Sequence, residues 1–213
     1  DLTIYQPIVD KTVLVSFKIE NAETGEYKFR EIPVLVPGKY QVEESDNEAP
    51  LVLPELTEWK GHSGFFKVNE VSKIVIANES LSDVAKAFAT DYKDLFDCEL
   101  DIVIGSEADV EAGDFFFDIT TDLSKGLKTE GNMITISDYI YVEAQEVIGA
   151  YWATRTILQA LKSSGNQSIP KGITRDYPLY EVRGIILDVG RKVFSLSQLQ
   201  QIVKQMAWYK LND

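Results

Sequence analysis

The sequence predicts an α+β fold: a mixed sheet with helices on one face, preceded by a few β strands and followed by one strand–helix unit. Three observations predict it. Strand-like and helix-like stretches alternate through residues 49–178. Two adjacent strand-like stretches, MITISD and YIYVEA, read as a hairpin pair inside that region. Beyond Pro178 a short apolar run is followed at once by an amphipathic helix.

Residues 1–48 come first. KTVLVSFKIE alternates Val13, Val15 and Phe17 with Leu14, Ser16 and Lys18, and NAETGE and VPG supply turns. That makes two or three antiparallel strands, too few to stand alone, and they read as the remnant of an upstream β module. ESDNEAP, polar and closed by Pro50, marks the boundary. In residues 49–178, KIVIAN, ELDIVIG and DFFFDIT are strands. The stretch 80–96 carries Leu81, Val84, Ala85, Phe88, Tyr92 and Leu95 at helical spacing, with Ser80 or Ser82 as its N-cap. Residues 144–164 form a long helix stopped by Gly165.

The last segment, 179–213, holds a strand at 184–188, a loop VGRKVF and a helix from Ser195. Ser195 and Gln198 have the spacing of a capping box. Leu199, Ile202, Val203, Met206 and Trp208 or Tyr209 form an apolar stripe along that helix. A strand buried on both faces, followed by an amphipathic helix, is one unit of a parallel sheet or barrel. One such unit cannot bury its own surface, so self-association through residues 183–213, or docking of that unit onto the α+β domain, is expected.

Composition excludes several functions. Acidic residues outnumber basic ones 34 to 21, a net charge of −13, and no Lys/Arg cluster offsets it, so a nucleic-acid partner is not expected. No apolar run has the roughly 18 residues of a membrane span. The chain starts at Asp1 without initiator Met or leader, which reads as a piece of something longer. Its single cysteine, Cys98, forms no internal disulfide and is expected to be a buried thiol.

Chemistry is sparse. With one histidine, His62, and one cysteine, metal sites built from several such ligands are excluded by count, and no cofactor is implied. His62 reads as a loop residue. No nucleophile elbow, P-loop or dinucleotide fingerprint occurs. Asp97, Glu99 and Asp101 alternate along one strand and read as a solvated face, as does the acidic loop EADVEAGD. Tyr151 and Trp152 could stack on a sugar, but helix-to-sheet packing is the simpler reading.

RGIILDVGRKVF, residues 183–194, is more specific. An apolar run is followed by Asp188 and, three residues on, by Arg191. The pattern R-G-x-x-x-D-x-x-R, made by Arg183, Gly184, Asp188 and Arg191, resembles the first barrel strand of the family 20 glycoside hydrolases, the β-N-acetylhexosaminidases and their relatives. SLSQLQQIVKQMAWYKLND is similar to that barrel's first helix. PELTEWKGHSGFFKV and EAQEVIGAYWATRTILQAL resemble earlier stretches of the same family, with Ala153 and Arg155 where Gly and Gln are usual. The likeness covers residues 50–213.

The resemblance implies that residues 49–178 are a zincin-like domain without metal and that 179–213 begin a truncated catalytic barrel. It implies a parent enzyme that releases a terminal N-acetylhexosamine. The substrate's own acetamido oxygen would be the nucleophile, with retention of configuration. An Asp-Glu pair in a motif like H-x-G-G-D-E would do the protein's part. That motif is absent from these 213 residues, so no catalytic residue is assigned and the chain alone is expected to be inactive.

The resemblance carries over one site residue, Arg191, as a ligand of sugar hydroxyls. Its guanidinium is a planar fork of N–H donors that stays charged. Asp188 takes the supporting role of orienting it; alternatively the two form a local ion pair that closes the loop. Arg183 reads as structural. An extracellular or cell-surface bacterial protein is the expectation. The competing reading is a non-catalytic carbohydrate-binding or adhesion module, which an exposed cluster of Trp59, Trp152 or Trp208 would favour.

Overall fold

The structure, a computed structural model, describes residues 5–165 and 167–213. Residues 1–4 of the first segment lie outside the described residues. β1 (Lys11–Glu20) and β2 (Tyr27–Val36) pair antiparallel as a two-stranded ribbon of their own. Its turn is closed by the Asn21 side chain, which accepts the Glu23 amide at 2.9 Å, and by Gly25 at φ +71°.

The main sheet has seven strands: β3 (Glu58–Lys67), β4 (Lys73–Ile76), β5 (Asp101–Ile104), β6 (Phe115–Ile119), β7 (Asn132–Ile136), β8 (Ile140–Ala144) and β9 (Ser168–Asp176). Their spatial order is β3-β9-β7-β8-β6-β4-β5. β8, β6, β4 and β5 run parallel, whereas β7 is antiparallel to both β8 and β9. The sheet is mixed, and MITISD and YIYVEA are its hairpin. Helices α1 (Ser82–Phe96) and α2 (Val147–Ser164) pack on one face. The period of two sorts the side chains: Ile74, Ile76, Phe115, Phe117, Ile134, Ile136, Ile140 and Val142 all point to the helices and are buried. Largely polar rows, among them Glu58–Arg175–Met133–Glu143 with Met133 its one apolar member, face the other way.

Several local expectations are corrected. Neither Ser80 nor Ser82 is the N-cap: Asn78 accepts the Ser80 amide at 3.1 Å and caps a 3-10 turn, and α1 follows from Ser82 with Leu81 at its N-cap position and no side-chain cap. His62 lies within β3, not in a loop. Cys98 is half-buried, its Sγ 3.7 Å from the Glu99 carbonyl. Of the three alternating carboxylates only Asp101 is in a strand: Asp97 ends α1 at φ +54° and Glu99 pairs with Lys93.

Neither β3 nor β9 announces itself, because EWKGHSGFFK and SIPKGITRD carry the glycine and proline that usually break strands. Tertiary contacts explain the glycines. Gly61 and Gly172 face each other across the ladder. A Cβ at Gly172 would lie 2.5 Å from the Trp59 ring, and one at Gly61 would lie 2.1 Å from the Asn47 carbonyl. The register shift between Gly61 and Phe65 absorbs the remainder of the irregularity.

Candidate functional site

α3 (Leu196–Trp208) begins as its sequence requires. The Ser195 hydroxyl accepts the Gln198 amide, and Gln198 Oε1 accepts the Ser195 amide at 2.8 Å, closing the capping box. The expected strand at 184–188 is not formed. Among the described residues no strand lies beside it, so it has no ladder to join and much of its backbone is left to water. Ile186 is fully exposed there, and Val193 beyond it is 90% exposed.

Asp188 and Arg191 are adjacent on the loop between them. Asp188 Oδ1 accepts the amides of Gly190 at 2.9 Å and Arg191 at 3.3 Å, an Asx turn that folds the chain back. Its other oxygen lies 3.6 Å from Arg191 Nε. The Arg191 side chain is 93% exposed, so its guanidinium presents its remaining N–H donors to solvent. A contact this exposed adds little to stability. What the arrangement does is hold a charged donor fork at the loop tip.

A half-buried anchor, which the sequence did not reveal, holds this segment to the α+β domain. Its centre is Glu130, in the turn before β7. Glu130 accepts the Arg183 guanidinium, the Trp152 indole N–H at 2.7 Å and the Asn212 amide at 3.3 Å. Arg183 also donates to the carbonyls of Tyr180 at 2.8 Å and Lys210 at 2.9 Å. Beside it, buried Lys210 donates to Asp176 at 2.6 Å, and Asp176 is further satisfied by the Thr57 hydroxyl at 2.9 Å. Gln159 of α2 closes the arrangement, donating to the carbonyls of Leu53 at 2.9 Å and Trp208 at 2.7 Å. The docking alternative for the last unit is therefore realised through its carboxyl-terminal end.

The R-G pair now has a physical reason. The Asn212 amide donates to the Arg183 carbonyl at 2.7 Å, the Arg183 amide donates to the Asn212 side-chain oxygen at 2.9 Å, and the Ile185 amide donates to the Asp213 carbonyl at 3.1 Å. A Cβ on Gly184 would lie 2.1 Å from that carbonyl, so only glycine lets the two segments approach. An open cleft of about 620 Å³ adjoins the anchor, walled by Pro54, Leu56, Trp152, Tyr177 and Leu179; neither Asp188 nor Arg191 lines it.

Burial alone would raise the Glu130 carboxyl, but the Arg183 guanidinium and the Trp152 N–H together hold it below the usual 4.5. A depressed carboxylate contributes stability that is present above its ordinary value and lost as pH falls through the lowered one. The Trp152 indole proton resonance is therefore expected to shift as pH drops below 4.5, and a Glu130→Gln protein should show no such titration. A resonance that titrates equally in both would mean that Glu130 is not the group responsible.

Tyr151 and Trp152 are packing residues: Trp152 is 6% exposed, and the Tyr151 ring lies under the Arg155 guanidinium. Trp59 and Trp208 also pack against the core. No exposed tryptophan cluster exists among the described residues, which weighs against the adhesion-module reading. Among the described residues no helix is long and apolar enough to cross a membrane.

Residues 49–177 match the family described as glycosyl hydrolase family 20, domain 2, and residues 180–213 match the catalytic domain of the same family. The chain is 29% identical over 156 residues to a β-hexosaminidase of Porphyromonas gingivalis, covering 69% of this chain and 20% of that protein. It is 30% identical over 147 residues to the N,N'-diacetylchitobiase of Vibrio harveyi, covering 65% of this chain and 16% of the relative. The chain thus spans a fifth or less of these relatives' lengths. In fold it is similar to the β-N-acetylhexosaminidase of Streptomyces coelicolor, with TM-score 0.67 at 17% identity over 76% of this chain and 33% of that one. A mixed α+β sheet joined through a half-buried Glu130–Arg183 anchor to an R-G-x-x-x-D-x-x-R segment, with family 20 matches on both sides of the join, leads to one conclusion: the chain belongs to glycosyl hydrolase family 20.

Proposed function

We propose that the chain is the amino-terminal part of a β-N-acetylhexosaminidase-like glycoside hydrolase that releases terminal N-acetylhexosamine, GlcNAc or GalNAc, from glycans. The observation that carries this reading is the 183–191 segment: Arg191 stands free at the loop tip, steered by Asp188, in a stretch that matches the family's catalytic domain. In this reading Arg191 binds hydroxyls of the terminal sugar, Asp188 orients it, and residues 49–178 form a metal-free, zincin-like support. Residues 179–213 open a (β/α)8 barrel, whose sites lie past the carboxyl ends of its strands. Exposed Ile185 and Ile186 suit a strand that finds its ladder only between barrel neighbours.

Hydrolysis proceeds by attack of the substrate's acetamido oxygen on the anomeric carbon, assisted by an Asp-Glu pair that these 213 residues do not contain. The reading implies a glycan partner and an extracellular or cell-surface location. A protein extended through the whole barrel is expected to hydrolyse p-nitrophenyl N-acetyl-β-glucosaminide and to yield the β-anomer first by proton NMR. An extended protein inert towards every N-acetylhexosaminide would overturn the proposal.

A further inference from the structure

On the sheet face opposite the helices, a cleft of about 230 Å³ opens where the foot of the β1–β2 ribbon meets the end of β9. Its floor is Arg175, 5% exposed. Nη2 of Arg175 donates to Glu58 Oε1 at 2.7 Å and Nη1 to the Lys125 carbonyl at 3.1 Å, while its buried Nε has no partner. The other Glu58 oxygen accepts the Ile8 amide at 2.8 Å. That single carboxylate is therefore matched by Arg175, in charge and in hydrogen bonds.

Two more cations line the same cleft. Lys11 Nζ is 3.9 Å from Glu58 Oε1 and 6.0 Å from the centre of the Tyr177 ring. Lys128 Nζ is 5.4 Å from the centre of that ring and forms no ion pair among the described residues. Lys128 also sits at φ +58°, a left-handed conformation that costs an L side chain about 1 kcal/mol and that turns usually give to Gly or Asn. A chain with net charge −13 thus gathers three cations around one carboxylate. Their mutual repulsion is a cost that one anion would relieve.

We propose that this cleft is an oxyanion site for a sulfate or carboxylate group. Lys11 and Lys128 neutralise the charge from the rim, Arg175 underlies it, and Tyr177 forms the wall. The proposal is independent of the glycosidase reading. The group could arrive as a free ion or as a substituent on a saccharide, since both present the same oxygens to the same donors.

The test is an amide-resonance titration of the 213-residue chain with inorganic sulfate, chloride being exchanged to hold ionic strength constant. Saturable shifts confined to Lys11, Lys128, Arg175 and Tyr177 are expected. A Lys11→Met, Lys128→Met double variant, which alters only partly exposed side chains, should bind at least about tenfold more weakly, the factor for roughly 1.4 kcal/mol of lost charge-assisted contact. Its melting temperature without sulfate should equal or exceed that of the wild type, because two of the repelling charges are gone. A second arm uses N-acetylglucosamine 6-sulfate: tighter binding than free sulfate assigns the group to a saccharide, and equal binding assigns it to the ion. Non-saturable shifts spread over the surface, or a double variant that binds like wild type, would overturn the site.

Discussion

Replacing Arg191 by alanine in the barrel-complete enzyme is expected to lower kcat/KM towards N-acetylhexosaminides about 100-fold, the effect of losing two charge-assisted hydrogen bonds at about 1.5 kcal/mol each. The melting temperature should not move, because a side chain 93% exposed contributes almost nothing to packing. Arg191→Lys retains the charge but loses the planar fork, so it should recover only part of the rate. Asp188→Asn keeps an acceptor for the Gly190 and Arg191 amides but removes the charge that faces Nε. A smaller loss, about tenfold and mainly in KM, is the signature of a residue that positions another. An Arg191→Ala enzyme with unchanged kinetics would end the sugar-binding assignment and leave the loop-closing ion pair as the sole role of Asp188 and Arg191.

Phe88→Ala should cost about 4 kcal/mol, the usual range for truncating a fully buried aromatic. Phe88 has no exposed surface and stands at the centre of an aromatic cluster. Its ring centre is 5.1 Å from that of Phe115, 5.8 Å from Phe117 and 6.2 Å from Tyr92, all at edge-on angles. It joins α1 to the two neighbouring rings of β6, so the cavity would open at the seam between helix and sheet. For a domain of this size the melting temperature should fall by about 8–16 °C, read by calorimetry. Phe88→Leu, which fills most of the volume, should lose less than about 1.5 kcal/mol. Equal losses for the two variants would mean that ring–ring geometry, rather than filled volume, holds this seam.

How much of this was legible follows from the range over which each signal acts. α3 is announced by Ser195 and Gln198, because a capping box is complete within one turn of chain. The stop of α2 at Gly165, found at φ +71°, is equally local. β4, β6, β7 and β8 are readable because short runs rich in β-branched and aromatic residues, bounded by turn residues, carry their own strand signal. β3 and β9 were not. Their glycines serve contacts with Trp59 and Asn47, partners that only the closed sheet brings near. The Asn78 cap was missed for a smaller reason: it caps a 3-10 turn that precedes the helix.

The site divides in the same way. Asp188 and Arg191 are three residues apart, and the turn that joins them is a property of that short stretch, so the sequence alone placed them together. Residue types and their local order likewise determined the fold class, the family likeness and the absence of a multi-histidine or multi-cysteine metal site. Only the tertiary structure decided what holds the loop. Glu130, Trp152, Arg183, Lys210 and Asn212 come from distant parts of the chain and meet because sheet and helices fix their positions. It also decided that 184–188 is an extended segment and not a strand. A run of apolar residues can state a preference for pairing, but a ladder needs a second strand, and hydrogen bonds between strands belong to the assembled sheet.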